Sequence, residues 1–417
     1  AINAIEPGGA EANGATVKIT GVFVNVSTNL TVPAGVTLDV TADGAAILLH
    51  DGTLTVNGTV NAKSDYIRME DTGTWGIING SGTIYLKSKG SLLNISGNGN
   101  VAKPKFTLDG VTLVGLEDNN ESLVVVDNGG DFVLKSGTIK DNTAASDAGR
   151  VTGGVKVHNS TFTMSGGTIS GNTANGHGGG VNLGNSTFTM EDGIISGNTA
   201  SGDGGGMKVN SSSTFTMKGG TISGNTAGET GGGVEFNNST FTMKGGAISG
   251  NTANAGGGVM FTGNSTFTLE GGTISGNTAE NSGGGVDMRG DFTMKGGTIS
   301  GNTSWEGGGV RVNENSTFTL EGGTISGNIS ENSGGGVYLG SGAAITKTGG
   351  TIYGNNAASA DQNKVTGYTD RGAAVYVDFY SGTDIRLEKT VDAAHNLTKA
   401  KTDTTAESLT AGKGWTE

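Results

Sequence analysis

The sequence predicts an all-β fold, a single-stranded right-handed parallel β-helix with about 26 residues and three short strands per coil. Three observations predict it. A block beginning Ser-Thr-Phe-Thr-Met and running on to Gly-Gly-Thr-Ile-Ser-Gly-Asn-Thr-Ala recurs, with its phenylalanine at Phe132, Phe162, Phe188, Phe215, Phe241, Phe267, Phe292 and Phe318. Ile345 takes that place in a ninth, degenerate copy, and after a first gap of 30 residues the spacing is 25–27. Within each block apolar residues alternate with threonine or serine, the period of a strand, and none follow the i, i+3, i+4, i+7 pattern of a helix. Glycine and asparagine punctuate the segments: the chain has 80 glycines and only 3 prolines, without the Gly-X-Y period of collagen.

The copy from Ser160 to Gly184 illustrates one coil. Phe162 and Met164 point one way and Thr161 and Thr163 the other. After Gly166-Gly167 a short strand, Thr168-Ile169-Ser170, turns Ile169 inward, and Gly171-Asn172 leads into a variable loop. Gly178-Gly179-Gly180 then delivers Val181-Asn182-Leu183, with Val181 and Leu183 inward. Stacked about 4.8 Å apart, the coils build ladders of phenylalanine, methionine or leucine, and isoleucine. Each buried side chain contributes about 1.5–3 kcal/mol of gross burial energy.

Asparagine forms its own column: Asn142, Asn172, Asn198, Asn225, Asn251, Asn277, Asn302, Asn328 and Asn355. Asparagine tolerates left-handed turns, and its amide bonds to amides above and below, so the expected role is structural. The position after Met/Leu runs Ser165, Glu191, Lys218, Lys244, Glu270, Lys295, Glu321, Thr348. A second column runs Lys208, Glu235, Met260, Asp287, Arg311. Opposite charges are mostly adjacent in both, as in-register parallel stacking requires.

Residues 1–131 lack the repeat but keep β alternation, and are expected to form an N-terminal cap and irregular coils. The regular repeats occupy 132–378, and 379–417 reads as a cap or tail, with a weak helical pattern from Val391 to Leu409. Two copies are longer than the others, one between Asn142 and Val155 and one between Asn355 and Val375. Insertions on a solenoid tend to gather on the functional face. Around the second lie Tyr338, Tyr353, Tyr368, Asp370, Arg371, Tyr376 and Tyr380, with Trp305 in a neighbouring loop. These are the candidate ligand or assembly surface: exposed aromatics beside acids suit sugar stacking, while aromatics at a solenoid end also serve to plug it.

The formal net charge of −13 argues against nucleic acid and anionic membranes as partners. No cysteine is present, which removes disulfides and thiolate metal sites, and no apolar run is long enough to span a bilayer. His50, His158, His177 and His395 lack metal-ligand spacing, and no phosphate-cradling glycine loop occurs, so no cofactor, metal or catalytic residue is assigned. Glu235, Asp287 and Arg311 share a face, but a salt bridge explains Asp287 and Arg311. The outward Thr-x-Thr array suggests ice binding as a minor alternative, against the plain preference of threonine for exposed strands. Asn-Ser-Thr at Asn159, Asn185, Asn238, Asn264 and Asn315 reads as a turn into a strand rather than a glycosylation signal.

The repeat resembles right-handed parallel β-helices of the pectin-lyase-like superfamily, and more closely the repeats of chlamydial polymorphic membrane proteins. Gly245-Gly246-Ala247-Ile248 matches their Gly-Gly-Ala-Ile motif, and Ile169-Ser170-Gly171-Asn172 matches their Phe-x-x-Asn motif with isoleucine for phenylalanine. Similar glycine-rich repeats occur in secreted proteins of spirochaetes and Firmicutes. The resemblance covers about residues 132–377 and implies a secreted or surface-displayed, bacterial-type protein whose signal peptide has been removed. No membrane barrel follows the repeats, unlike an autotransporter. The expected function is a non-catalytic structural or adhesive solenoid. Its partner is either a surface glycan or host molecule, as for an adhesin, or further copies of itself docked end to end, as for a fibre subunit. A carbohydrate-binding or polysaccharide-cleaving β-helix is the alternative.

Overall fold

The structure, a computed structural model, describes residues 14–19, 23–42, 45–65, 67–69, 75–97, 103–145, 151–354, 359–367, 374–377, 386–387 and 407–408. The chain forms two compact units, 1–201 and 202–417, each a parallel β-solenoid.

In the first unit the coils already stack in register well before the recognisable repeats begin. Val17 pairs with Leu38, Leu38 with Val60, Val60 with Ile84, Ile84 with Leu113, and Leu113 with Ile139. The irregular N-terminal coils therefore lay down the same isoleucine-type column as the repeats. Phenylalanine joins late: Phe106 sits over Gly76, and only from Phe132 onward do rings stack, with centroids 5.1 Å apart to Phe162 and 4.5 Å from Phe162 to Phe188.

The second unit repeats the pattern with fewer exceptions. Thr214–Met217, Thr240–Met243, Thr266–Leu269, Asp291–Met294, Thr317–Leu320 and Ala344–Lys347 form one sheet. In it Phe215, Phe241, Phe267, Phe292 and Phe318 are fully buried and stacked, neighbouring centroids being 4.6–4.9 Å apart. Phe236 and Phe261 on the valine strands stack at 4.7 Å and meet the first column edge-on. Offset and T-shaped contacts of this kind add stabilisation beyond buried area.

A fourth short strand departs from the expected three. Thr143–Ala144, Thr173–Ala174 and Thr199–Ala200 pair in the first unit, and Thr226–Ala227 begins an equivalent sheet in the second. Two residues are too few to show alternation, so this stretch reads as loop in the sequence, yet its alanines are buried. Past residue 377, Arg386–Leu387 pairs antiparallel with Glu407–Ser408. Glu407–Ser408 is thus strand where a helical pattern was expected, and the rest of 391–409 lies outside the described residues.

Glycine permits the crossing from the fourth strand to the valine strand. Gly283 holds φ at 61°, and a Cβ there would lie 2.5 Å from the Cβ of Asp287. A Cβ on Gly258 would meet the carbonyl oxygen of Gly285, one coil on, at 2.6 Å. The loop therefore lies flat over the outer face of the valine strand.

Candidate functional site at a shortened corner

That overlying loop changes the character of the second charged column. Register runs Lys208, Glu235, Met260, Asp287, Arg311, Tyr338, Tyr376. These side chains leave the helix interior, yet Glu235, Met260, Asp287 and Tyr338 are buried beneath the loops, and Tyr376 is buried as well. Lys208 Nζ lies 2.6 Å from Glu235 Oε2 and 2.9 Å from Asp203 Oδ2, and the Thr230 hydroxyl donates to Asp203 Oδ1 at 2.7 Å. Burial pushes the Glu235 carboxyl up to about 7 against the pull of Lys208. Burial draws the Lys208 ammonium down, but Glu235 and Asp203 outweigh it and its pKa is raised. Asp287 accepts hydrogen bonds from Ser282 and Asn313 and faces Arg311, whose Nη1 is 3.7 Å away. Arg311 also reaches Glu306 at 3.6 Å and lies over the Tyr338 ring. The acids that share this face are thus held in internal networks rather than offered to solvent.

The expected aromatic surface does not assemble as an exposed platform. Tyr338 and Tyr376 are 4% and 7% exposed and stack on each other at 5.6 Å. Tyr353 is half-buried, while Trp305 is 45% exposed on the fourth sheet. Tyr368, Asp370, Arg371 and Tyr380 lie outside the described residues.

The asparagine column is an internal ladder. In the second unit each amide nitrogen from Asn225 to Asn328 donates to the next asparagine oxygen at 2.9 Å. The backbone N–H of the same residue donates to that same oxygen. In the first unit Asn119 donates to Asn142 and Asn172 to Asn198. Asn119 and Asn363 are members that the repeat did not reveal, since each sits outside an Ile-Ser-Gly-Asn block. Asn363 receives the bonds from Asn328, and Asn355, expected in the column, lies outside the described residues.

Asn159, Asn185, Asn238 and Asn315 adopt φ between 47° and 57°, the geometry of a turn. The outward threonines align, Thr240 over Thr266, but Asp291 breaks their column, and the exposed Lys244–Glu270 pair, 3.6 Å apart, edges the same sheet. His158 Nδ1 lies 3.1 Å from Asp127, and among the described residues no group of three His, Cys, Asp or Glu is placed to hold a metal ion.

A concave surface lies at the corner between the valine strand and the phenylalanine strand. Phe261, Met288, Val312 and Leu339 are in register, as are Thr266, Asp291, Thr317 and Ala344. Four residues join the two strands in three of these coils, and two, Arg289 and Gly290, in the other. That shortfall cuts a notch. One hollow of about 600 Å³ is lined by Arg289, Arg311, Asn313, Glu314, Asn315, Tyr338, Gly340 and Ser341. A second, of about 560 Å³, extends over Asn264, Thr266, Asp291 and Ser316 and shares Arg289, Glu314 and Asn315 with the first. Gly290 and Asp291 tie the corner to both neighbouring coils: the Gly290 N–H donates to Ser316 Oγ at 3.0 Å, and the Asp291 N–H donates to Ser265 O at 3.3 Å. Arg289 is exposed and, among the described residues, its guanidinium makes no ion pair or hydrogen bond. Arg289 was not singled out from the sequence. The available signal was the 25-residue interval from Phe267 to Phe292, the shortest in the series.

No protein-family model matches the chain, and no curated protein or solved structure matches it either. No helix among the described residues is long and apolar enough to cross a membrane.

Proposed function

We propose that the chain is a non-catalytic, extracellular adhesive solenoid of bacterial type that engages a surface glycan or host molecule. The observation that carries this reading is the division of labour among its polar groups. Glu235 and Asp287, the carboxylates best placed for chemistry, are buried in ion pairs and hydrogen bonds, whereas the shaped notch around Arg289 is open. Catalytic acids need a cleft and a substrate path, and neither carboxylate lines the notch. The likeness of Gly245-Gly246-Ala247-Ile248 and its neighbours to the repeats of chlamydial polymorphic membrane proteins supports the surface-displayed part of the reading.

A second reading, a self-assembling fibre subunit, draws on Lys347. It occupies the methionine/leucine column beside Leu320, its Nζ is buried with no hydrogen-bond partner among the described residues, and burial lowers its pKa to about 8. A buried polar group that follows an apolar column suits a surface that another chain completes. Negative-stain electron microscopy across a concentration series separates the two. Dispersed particles at every concentration support the adhesive reading. Ordered filaments that lengthen with concentration would replace it with the fibre reading.

A further inference from the structure

We propose that the notch around Arg289 binds an uncharged, hydroxyl-rich saccharide. The proposal deepens the adhesive reading and rests on it. Each hollow falls within the ~300–1,000 Å³ usual for small-ligand sites. Their walls, however, are rich in polar residues: Asn264, Asn315, Thr266 and Arg289 line them, and the one aromatic residue there, Tyr338, is 4% exposed. Such a lining rejects lipid and suits a ligand that donates and accepts hydrogen bonds along its length.

Charge narrows the class further. Arg289 and Arg311 are balanced in the walls by Asp291 and Glu314, and Arg311 is already committed to Asp287 and Glu306. A polyanion would meet those carboxylates, on a chain whose net charge is −13. Among the described residues Arg289 remains an unengaged planar fork of donors, matched to two adjacent hydroxyl oxygens. The floor beneath it is pre-set, because Gly290 is bonded to the following coil and Asp291 to the preceding one, so little ordering cost attends binding. The two hollows together cross four successive coils, about 14 Å at the spacing of parallel strands, which favours a short chain of sugars over a single ring.

The test is calorimetric titration of the full chain with maltohexaose, cellohexaose, xylohexaose, mannohexaose and chitohexaose, alongside oligogalacturonate and a heparin hexasaccharide. Two variants accompany it: Arg289→Ala, and an insertion of Asn-Ser after Gly290 that restores the four-residue corner. At least one neutral oligosaccharide is expected to bind. Arg289→Ala should weaken that binding by about tenfold or more, with its melting temperature unchanged, and the insertion should abolish it. Binding of no neutral oligosaccharide, binding of the acidic ones alone, or undiminished binding by Arg289→Ala would each overturn the proposal. If Arg289→Ala still adheres to an insoluble polysaccharide as the parent does, the notch is wrong but the adhesive reading stands. If the parent adheres to nothing, both fail.

Discussion

Asn277 shows how much one side chain carries. Its amide donates to Asn302 and to the carbonyl of Ile248, while its oxygen accepts from the backbone and side chain of Asn251. Asn277→Ala leaves two buried donors without acceptors and should cost about 2–3 kcal/mol. Asn281→Ala, at an exposed position, should stay within about 0.5 kcal/mol. Thermal melts of the two variants check the contrast, and equal losses would refute the ladder. The Glu235 carboxyl is raised from 4.5 to about 7, chiefly by burial. A carboxyl raised on folding costs stability once ionised, and the cost disappears as pH falls from about 7 towards 4.5. Glu235→Gln, which mimics the protonated form, should therefore gain most over the parent above pH 7 and lose that advantage near pH 4.5. Melting curves across that range test the sign. Lys347→Met should stabilise by on the order of 1 kcal/mol, because it continues the apolar column that Leu320 precedes and removes a buried ammonium that has no hydrogen-bond partner among the described residues.

At the level of elements, the glycine triplet and the alternating strands divide the work. Gly258→Ala drives a methyl group to 2.6 Å from the Gly285 oxygen and should cost about 1–3 kcal/mol. Gly276→Asn, in open space at φ 63°, should cost far less. A melt in which both variants fell equally would show that the triplet is not set by close approach of neighbouring coils. Which strands exist was legible in the chain because Phe162, Met164, Ile169, Val181 and Leu183 alternate or fall between turn residues. The Thr-Ala strand was not legible, since it is two residues long in the first unit and, where it lengthens to Thr252–Ala255 and Thr278–Ser282, its register slips. Nor was the burial of Glu235 and Asp287: alternation places them outward, and only the loop folding back over them, permitted by Gly231 and Gly283, takes them out of water.

For the molecule as a whole, the repeat announced a solenoid, and the coils of each unit stack in register as that period requires. The candidate site was far less legible. Tyr338 and Tyr376 read as a surface because aromatic residues beside acids suit sugars, but both are buried. Arg289 looked unremarkable because a site made by missing residues leaves no motif, only a shortened interval between two phenylalanines. Under the adhesive proposal this chain would hold its partner without cutting it. The most direct test is to incubate the purified full chain with a panel of insoluble polysaccharides, measuring in one experiment the protein retained and the reducing ends and unsaturated products released. Retention on at least one polysaccharide with no release above a protein-free control is the predicted result. Release of fragments, or retention on none, would contradict it.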